Sequence, residues 1–329
     1  MKLPLTVACW DYDRTRALFD GRVQVEGCDP NYLSLPVEET FFRALRSAEF
    51  DVAELSFSSY TVLRSRGASP YVAIPVFLSR MFRHSSIYIR TDRGIREPRD
   101  LVGKTLGVPE FQLTALVWAR GILEDEYGVK PSDIHWRTGG VEQPGRHEKV
   151  ALSNTAGLDI QPIPSSETLN QWFIDGKIDG IIAPRVPSAF ANGQANIGRL
   201  FPDFRRAEKD YFARTGIFPM MHVVGIKNEL VEQHPWLPAS VLKAFTQAKD
   251  VAQQSLSELA ALKVMLPWVA DEYRDTIALM GADYWRYGIQ GNEPAIEAFL
   301  RYHHTQGLSE RKMGIADLFA PSTLEQFLI

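Results

Sequence analysis

Cysteine is nearly missing from this chain: of 329 residues only Cys9 and Cys28 carry a thiol. Two thiols cannot build a disulfide framework, so stability must come from buried apolar surface, and a reducing cytoplasm suits them. Long hydrophobic runs are lacking as well. Nothing approaches the roughly 20 apolar residues that span a bilayer, which argues against a membrane partner. Nor is charge of one sign in excess: 36 basic residues face 40 acidic ones, a net charge of −4. The basic residues are scattered rather than striped, so no nucleic-acid footprint is present. No HExxH, CxxC or DxD-type calcium loop occurs. His303 and His304 are adjacent on a helix and diverge, while His135, His147 and His234 have no partner at ligand spacing, so no metal is expected. Dinucleotide fingerprints, phosphate loops and nucleophile elbows are missing, as are repeats and low-complexity tracts. The first ten residues carry one Lys and lack the apolar core and cleavage site of a secretory signal. A soluble, cytoplasmic protein is therefore expected.

What is present is ordinary globular chemistry, 45% hydrophobic and 23% charged. The length exceeds one typical domain, which favours two lobes with separate cores. Strand-like runs at 5–9, 23–26, 31–35, 50–55, 71–77, 86–90, 106–108, 134–137, 178–183 and 218–226 are rich in β-branched and aromatic residues. They alternate with helical patterns at 37–47, 58–66 and 113–127. Gly67 and Gly128 are placed as C-caps, and Pro131 prevents the third helix from resuming. Beyond 226 the pattern is helical: 238–256, 257–266, 270–281 and 293–306. Alternation followed by helices predicts an α/β protein with mostly parallel sheets.

Such sheets bind ligands beyond the carboxyl ends of their strands. Residues 103–114 read as a strand that breaks at Pro109 and opens a helix, leaving backbone N–H groups and a positive dipole end for a carboxylate, with Gln112 and Thr114 there. Other strand ends carry Tyr12 and Arg14, Glu54 and Ser56, and Arg185. The densest cluster is 79–86. If that piece is extended, Arg80, Phe82 and His84 share a face, an acid beside an anion clamp. The alternative is a surface loop with solvated arginines. Arg185 is either a ligand contact or half of an ion pair. Arg146 reaches a ligand only if its polar loop folds over. Glu54 needs a buried partner, which a ligand hydroxyl could supply. His222 lies in an apolar strand, where a lone histidine is more often a hydrogen-bonded core residue. Trp10, Trp118, Trp172 and Trp285 read as packing; Tyr12, on the first strand-to-helix turn, is the best stacking platform.

The segments 79–86, 107–115, 117–121 and 215–224 resemble the 4,5-dihydroxyphthalate decarboxylase family, and the resemblance runs over nearly the whole chain. That family is similar to the type II periplasmic binding proteins, whose two α/β lobes hold a ligand cleft at a hinge. The resemblance implies one lobe at 1–89 plus 223–329 and a second at 90–222. It implies a carboxy-lyase of phthalate degradation and aromatic catabolism that uses no cofactor, because a ring hydroxyl para to the departing carboxylate makes the ring carbon basic enough to protonate. On that basis His84 is expected to donate the proton, with His222 in reserve. Arg80 and Arg185 hold carboxylates, Glu54 accepts from a ring hydroxyl, and Gln112 and Thr114 orient the ligand. Tyr12, Arg14, Ser56, Phe82 and Arg146 complete the expected binding set. The partner is a small aromatic carboxylate; oligomeric state is left open, a homo-oligomer included. The rival is a receptor of an uptake system that binds an aromatic or small anionic ligand without reacting, since fold does not fix function. A third reading, an enzyme of pyrimidine-like precursors, is disfavoured by the Arg-rich strand ends.

Overall fold

The computed structural model describes residues 2–152, 155, 157–258 and 260–325. Two compact units divide the chain: one takes the residues up to Arg80, Thr215–Ile296 and the chain from Gly314 on, the other Met81–Arg214 and Glu297–Met313. These divisions are not the expected ones at 89 and 222, and 297–313 joins the second unit. Local structure accounts for both differences. The fourth strand runs on to Arg80 before the chain leaves its sheet. Farther on, Phe299 and Tyr302 pack on Trp118 at 5.7 and 5.8 Å between ring centroids, which ties 297–313 to the second unit.

The first stretch forms β1 (Leu3–Cys9), α1 (Asp13–Phe19), β2 (Cys28–Ser34), α2 (Val37–Ser47), β3 (Val52–Ser56), α3 (Phe57–Ser65) and β4 (Tyr71–Arg80). The middle stretch forms β5 (Ile87–Arg90), β6 (Thr105–Val108), α4 (Thr114–Tyr127), β7 (His135–Thr138), β8 (Ile160–Pro162), α5 (Leu169–Ile174), β9 (Gly180–Ile182), α6 (Ser188–Ala191), β10 (Ile197–Arg199) and α7 (Phe204–Thr215). The chain continues through β11 (Met220–Lys227), α8 (Asn228–Gln233), α9 (Leu237–Leu256), α10 (Val269–Met280), α11 (Glu293–Thr305) and α12 (Ile315–Leu318).

The sheet of the first unit has the order β2-β1-β3-β11-β4. β1 pairs in parallel with β2 and β3, and β11 runs antiparallel between β3 and β4. β3 is buried along its whole length, as a central strand covered on both faces must be. The sheet of the second unit has the order β10-β5-β9-β6-β7-β8, with β5 antiparallel to both neighbours. Its core gathers Tyr88, Leu169, Phe173, Ile178 and Ile181.

Two expected elements do not form. Residues 23–26 form no strand, and β2 begins only at Cys28. Of 257–266, none of the described residues is helical, and residue 259 lies outside them. At the end of this stretch Pro267 keeps Leu266 out of the helical region. Helices α1 and α7 were not expected; α7 buries only Tyr211 and so shows no apolar stripe to read. Gly128 caps α4 at φ 71°, the left-handed conformation a glycine adopts without strain.

Candidate active site

In the first unit the strand ends converge on one carboxylate. Glu54, fourth residue of β3, is fully buried. Its Oε2 accepts the backbone N–H of Trp10 at 3.0 Å, just past the end of β1. Its Oε1 accepts the Tyr12 hydroxyl at 2.7 Å and faces the Nδ1 of His222 at 2.7 Å. Burial pushes the Glu54 carboxyl up, but the His222 hydrogen bond and charge, the Trp10 N–H and the Tyr12 hydroxyl outweigh it and hold the group below the ordinary carboxylate range. An ionised carboxylate only accepts, so Nδ1 of His222 must carry the hydrogen and Nε2 is the ring nitrogen left for chemistry. The Tyr12 hydroxyl is pushed up, first by burial and then by the Glu54 charge, and stays protonated.

The backbone aims His222 as well. Within β11 it pairs with Ser56 of β3 and Ser79 of β4. The β11–β4 register shifts on both sides of His222, and Pro75, which has no N–H for the ladder, lies in the β4 stretch between the pairs. The edge of Phe41 from α2 packs against the imidazole at 4.8 Å between centroids. Arg14, from the first turn of α1, stacks over Tyr12 at 3.9 Å and over Trp285 at 4.4 Å. Its Nε donates to the Leu78 carbonyl at 2.6 Å. Ser56 caps α3, accepting from the backbone N–H of Ser59.

Of the expected residues, then, Tyr12, Arg14, Glu54, Ser56 and His222 are brought together. Arg80 belongs to the same unit but serves otherwise. It is buried and donates to the carbonyls of Phe218 and Arg286 and to Oδ1 of Asn292 at 3.0, 2.7 and 2.8 Å, so it cross-links the fold rather than holding a carboxylate. Glu54 is likewise enclosed, its two oxygens accepting from Trp10, Tyr12 and His222 rather than standing open to a ring hydroxyl.

The second unit holds the rest. β4 ends at Arg80 and His84 opens a short 3-10 turn, so the alternation that would place Arg80, Phe82 and His84 on one face does not arise. His84 is 1% exposed among the rings of Phe201, Tyr211 and Tyr127 at 5.1, 5.4 and 6.5 Å, and neither ring nitrogen has a hydrogen-bond partner. Burial, helped by the Arg214 charge, pushes its imidazole down to about 4. An enclosed imidazole held neutral in this way does not suit the donor role expected of His84, whereas His222 stands beside Glu54. Phe82 packs edge-on against Tyr211 and Phe212.

At the turn before α4, Glu148 takes the place foreseen for a ligand carboxylate. It accepts the backbone N–H groups of Phe111 and, at 3.3 Å, Gln112. Burial, with the Glu110 charge adding, pushes its carboxyl up to about 7. The Arg146 loop does fold over this turn, but Arg146 and Lys149 donate to Glu110 at 2.6 and 2.9 Å. The Gln112 amide also points to Glu110, at 3.3 Å, and Thr114 is buried as the first residue of α4. Arg185 is exposed just past β9. Phe41 and Glu148 were not singled out from sequence, and Trp10 was read as packing only; a proline inside an apolar strand is the signal that marks the irregular register beside Ser79 and His222.

No family model matches the chain. It is 48% identical over 328 residues to 4,5-dihydroxyphthalate decarboxylase of Comamonas testosteroni, covering 100% of this chain and 99% of that one. It is also 48% identical over 211 residues to 4,5-dihydroxyphthalate decarboxylase of Pseudomonas putida, 64% of this chain and 82% of that one. Among solved structures, the periplasmic aliphatic sulphonate binding protein SsuA of Escherichia coli superposes with a TM-score of 0.54 at 12% identity, covering 99% of this chain and 100% of that one. A sulfonate-binding SsuA of Methylobacillus flagellatus gives 0.53 at 11% identity, covering 98% and 92%. The two-lobed α/β fold is thus that of the periplasmic binding proteins, and by sequence the chain belongs to the 4,5-dihydroxyphthalate decarboxylase family.

Proposed function

We propose that this protein is a carboxy-lyase that converts 4,5-dihydroxyphthalate to protocatechuate and carbon dioxide, with His222 as the acid that protonates the ring. The observation that carries the reading is the His222–Glu54 pair at the strand ends of the first unit. Full-length identity to a decarboxylase of that name supports the substrate. The imidazolium gives its Nε2 proton to the ring carbon that bears the departing carboxylate. Electrons for the new C–H bond come from the para hydroxyl, whose proton is released as its oxygen becomes a carbonyl. The carbon–carboxylate bond then breaks, its electron pair restores the aromatic ring, and carbon dioxide leaves. The oxygen recovers its proton and solvent recharges His222, so one proton is consumed per turnover. Glu54 pairs with the imidazolium and, once the proton has left, fixes the tautomer of the neutral ring, and the Trp10 N–H and the Tyr12 hydroxyl keep Glu54 ionised. The ring itself accepts the electrons, so the step asks for no organic electron sink. The same reading places the enzyme in the cytoplasm, in keeping with the free thiols of Cys9 and Cys28.

The test is turnover. Purified protein incubated with 4,5-dihydroxyphthalate should yield carbon dioxide and protocatechuate in equal amounts, and His222→Gln should lower kcat on the order of a hundredfold or more. Ligand-dependent stabilisation without product from the unaltered protein would instead mark a binder and sink the decarboxylase reading.

A further inference from the structure

Resting on that reading, we infer that Arg14 holds the carboxylate that stays on the ring. The guanidinium is fixed before any ligand arrives. It lies over Tyr12 at 3.9 Å and over Trp285 at 4.4 Å. Its Nε is spent on the Leu78 carbonyl at 2.6 Å, and Trp285 is itself anchored by donating to the Phe77 carbonyl at 3.0 Å. Stacking and a single backbone bond leave the terminal edge of the fork, Nη1 and Nη2, as the part that can meet a carboxylate. Nη1 touches only Asp13 at 3.0 Å, an ion pair whose acid is 58% exposed, and Nη2 has no protein acceptor among the described residues. Exposed pairs of this kind are weak and readily exchanged for a better acceptor.

Placement relative to the reacting groups follows from Tyr12. The ring on which Arg14 stacks carries the hydroxyl that donates to Oε1 of Glu54, and the same oxygen faces His222. Tyr12 and Glu54 therefore link the anion clamp to the proton donor within one unit, so a single ring-bearing ligand can be met by both. Chemistry decides which carboxylate the clamp takes. A cation bound to the departing group would stabilise charge that disappears on the way to carbon dioxide and would raise the barrier. A cation on the retained carboxylate binds ground state and transition state alike and costs nothing in rate.

The experiment compares the unaltered enzyme with Arg14→Gln and Arg14→Lys, after melting curves show both variants folded. Arg14→Gln should raise KM for 4,5-dihydroxyphthalate on the order of tenfold to a hundredfold while kcat changes little, the signature of lost uniform binding. Inhibition by protocatechuate, which keeps the retained carboxylate, should weaken by a similar factor, whereas binding of catechol, which has none, should not move. Arg14→Lys should recover part of the loss, keeping charge without the planar stack. A fall in kcat at unchanged KM and unchanged protocatechuate inhibition would overturn the assignment while leaving the decarboxylase reading intact. Absence of turnover in the unaltered enzyme would instead remove that reading, separately from Arg14.

Discussion

At Glu54 donors from Trp10, Tyr12 and His222 converge on one buried carboxylate, and a neutral amide cannot replace it. Glu54→Gln offers one acceptor oxygen and turns an N–H₂ toward groups that themselves donate. Protein stability should fall by about 1–3 kcal/mol from the donors left unpaired, and kcat should fall at least a hundredfold as the imidazolium loses its counter-charge. The sign with pH follows from the lowered Glu54 carboxyl. Its stabilisation is present above the carboxyl's unfolded pKa and is lost as pH drops through the folded value, so the difference between variant and parent should shrink in acid; urea titrations at pH 7 and pH 4 would measure it. His84 titrates with the opposite consequence for function. Held down to about 4 in its aromatic cage, it must gain a proton when the protein unfolds in mild acid. Stability is therefore drawn down as pH falls from about 6.5 toward 4. His84→Phe should lessen that acid loss by about 3 kcal/mol at most while leaving kcat close to normal, and a large loss of kcat would return the acid role to His84.

Among the elements, the segment after β7 behaves as an internal ligand of α4. Glu148 sits on the amides of Phe111 and Gln112, and Arg146 and Lys149 close on Glu110 beside it. Burial, with the Glu110 charge adding, makes ionisation of Glu148 costly and pushes its carboxyl up to about 7. A raised folded pKa gives stability that is complete below the unfolded value and lost as pH climbs through 7. Glu148→Gln removes that loss. Its stability relative to the parent should rise between pH 5 and pH 8, on the order of 2 kcal/mol after allowing for solvent screening, as read from melting temperature across that range. A flat difference would mean that the segment carries no ionisation cost. The strand-to-helix turn was legible in sequence because Pro109 and the apolar stripe of α4 are local signals. Its occupant was not, because Glu148 lies 36 residues from Gln112 and nothing in its own neighbourhood marks it.

Over the whole molecule, alternating strands and helices followed by a helical tail dictated two α/β units, since each apolar face must be buried against another layer. The exact divisions of the chain escaped, because they depend on how far β4 runs and on Phe299 and Tyr302 meeting Trp118. Residue types likewise dictated part of the palette of the site: Tyr12, Arg14, Glu54 and Ser56 stand at strand ends where ligands of such sheets bind, whereas His222 lies within an apolar strand and shows its partner only in the fold. Selection among the candidates lay beyond sequence. Arg80 and His84 look as reactive on paper as His222 does, and only burial separates them. Arg80 gives its Nη groups to carbonyls and an amide oxygen, His84 is stripped of water and partners, and His222 gains a carboxylate 168 positions away. Composition and pattern are properties of neighbours along the chain, so they determined class and fold. Protonation and availability depend on what the folded chain brings within about 3 Å, and that the tertiary structure alone decided.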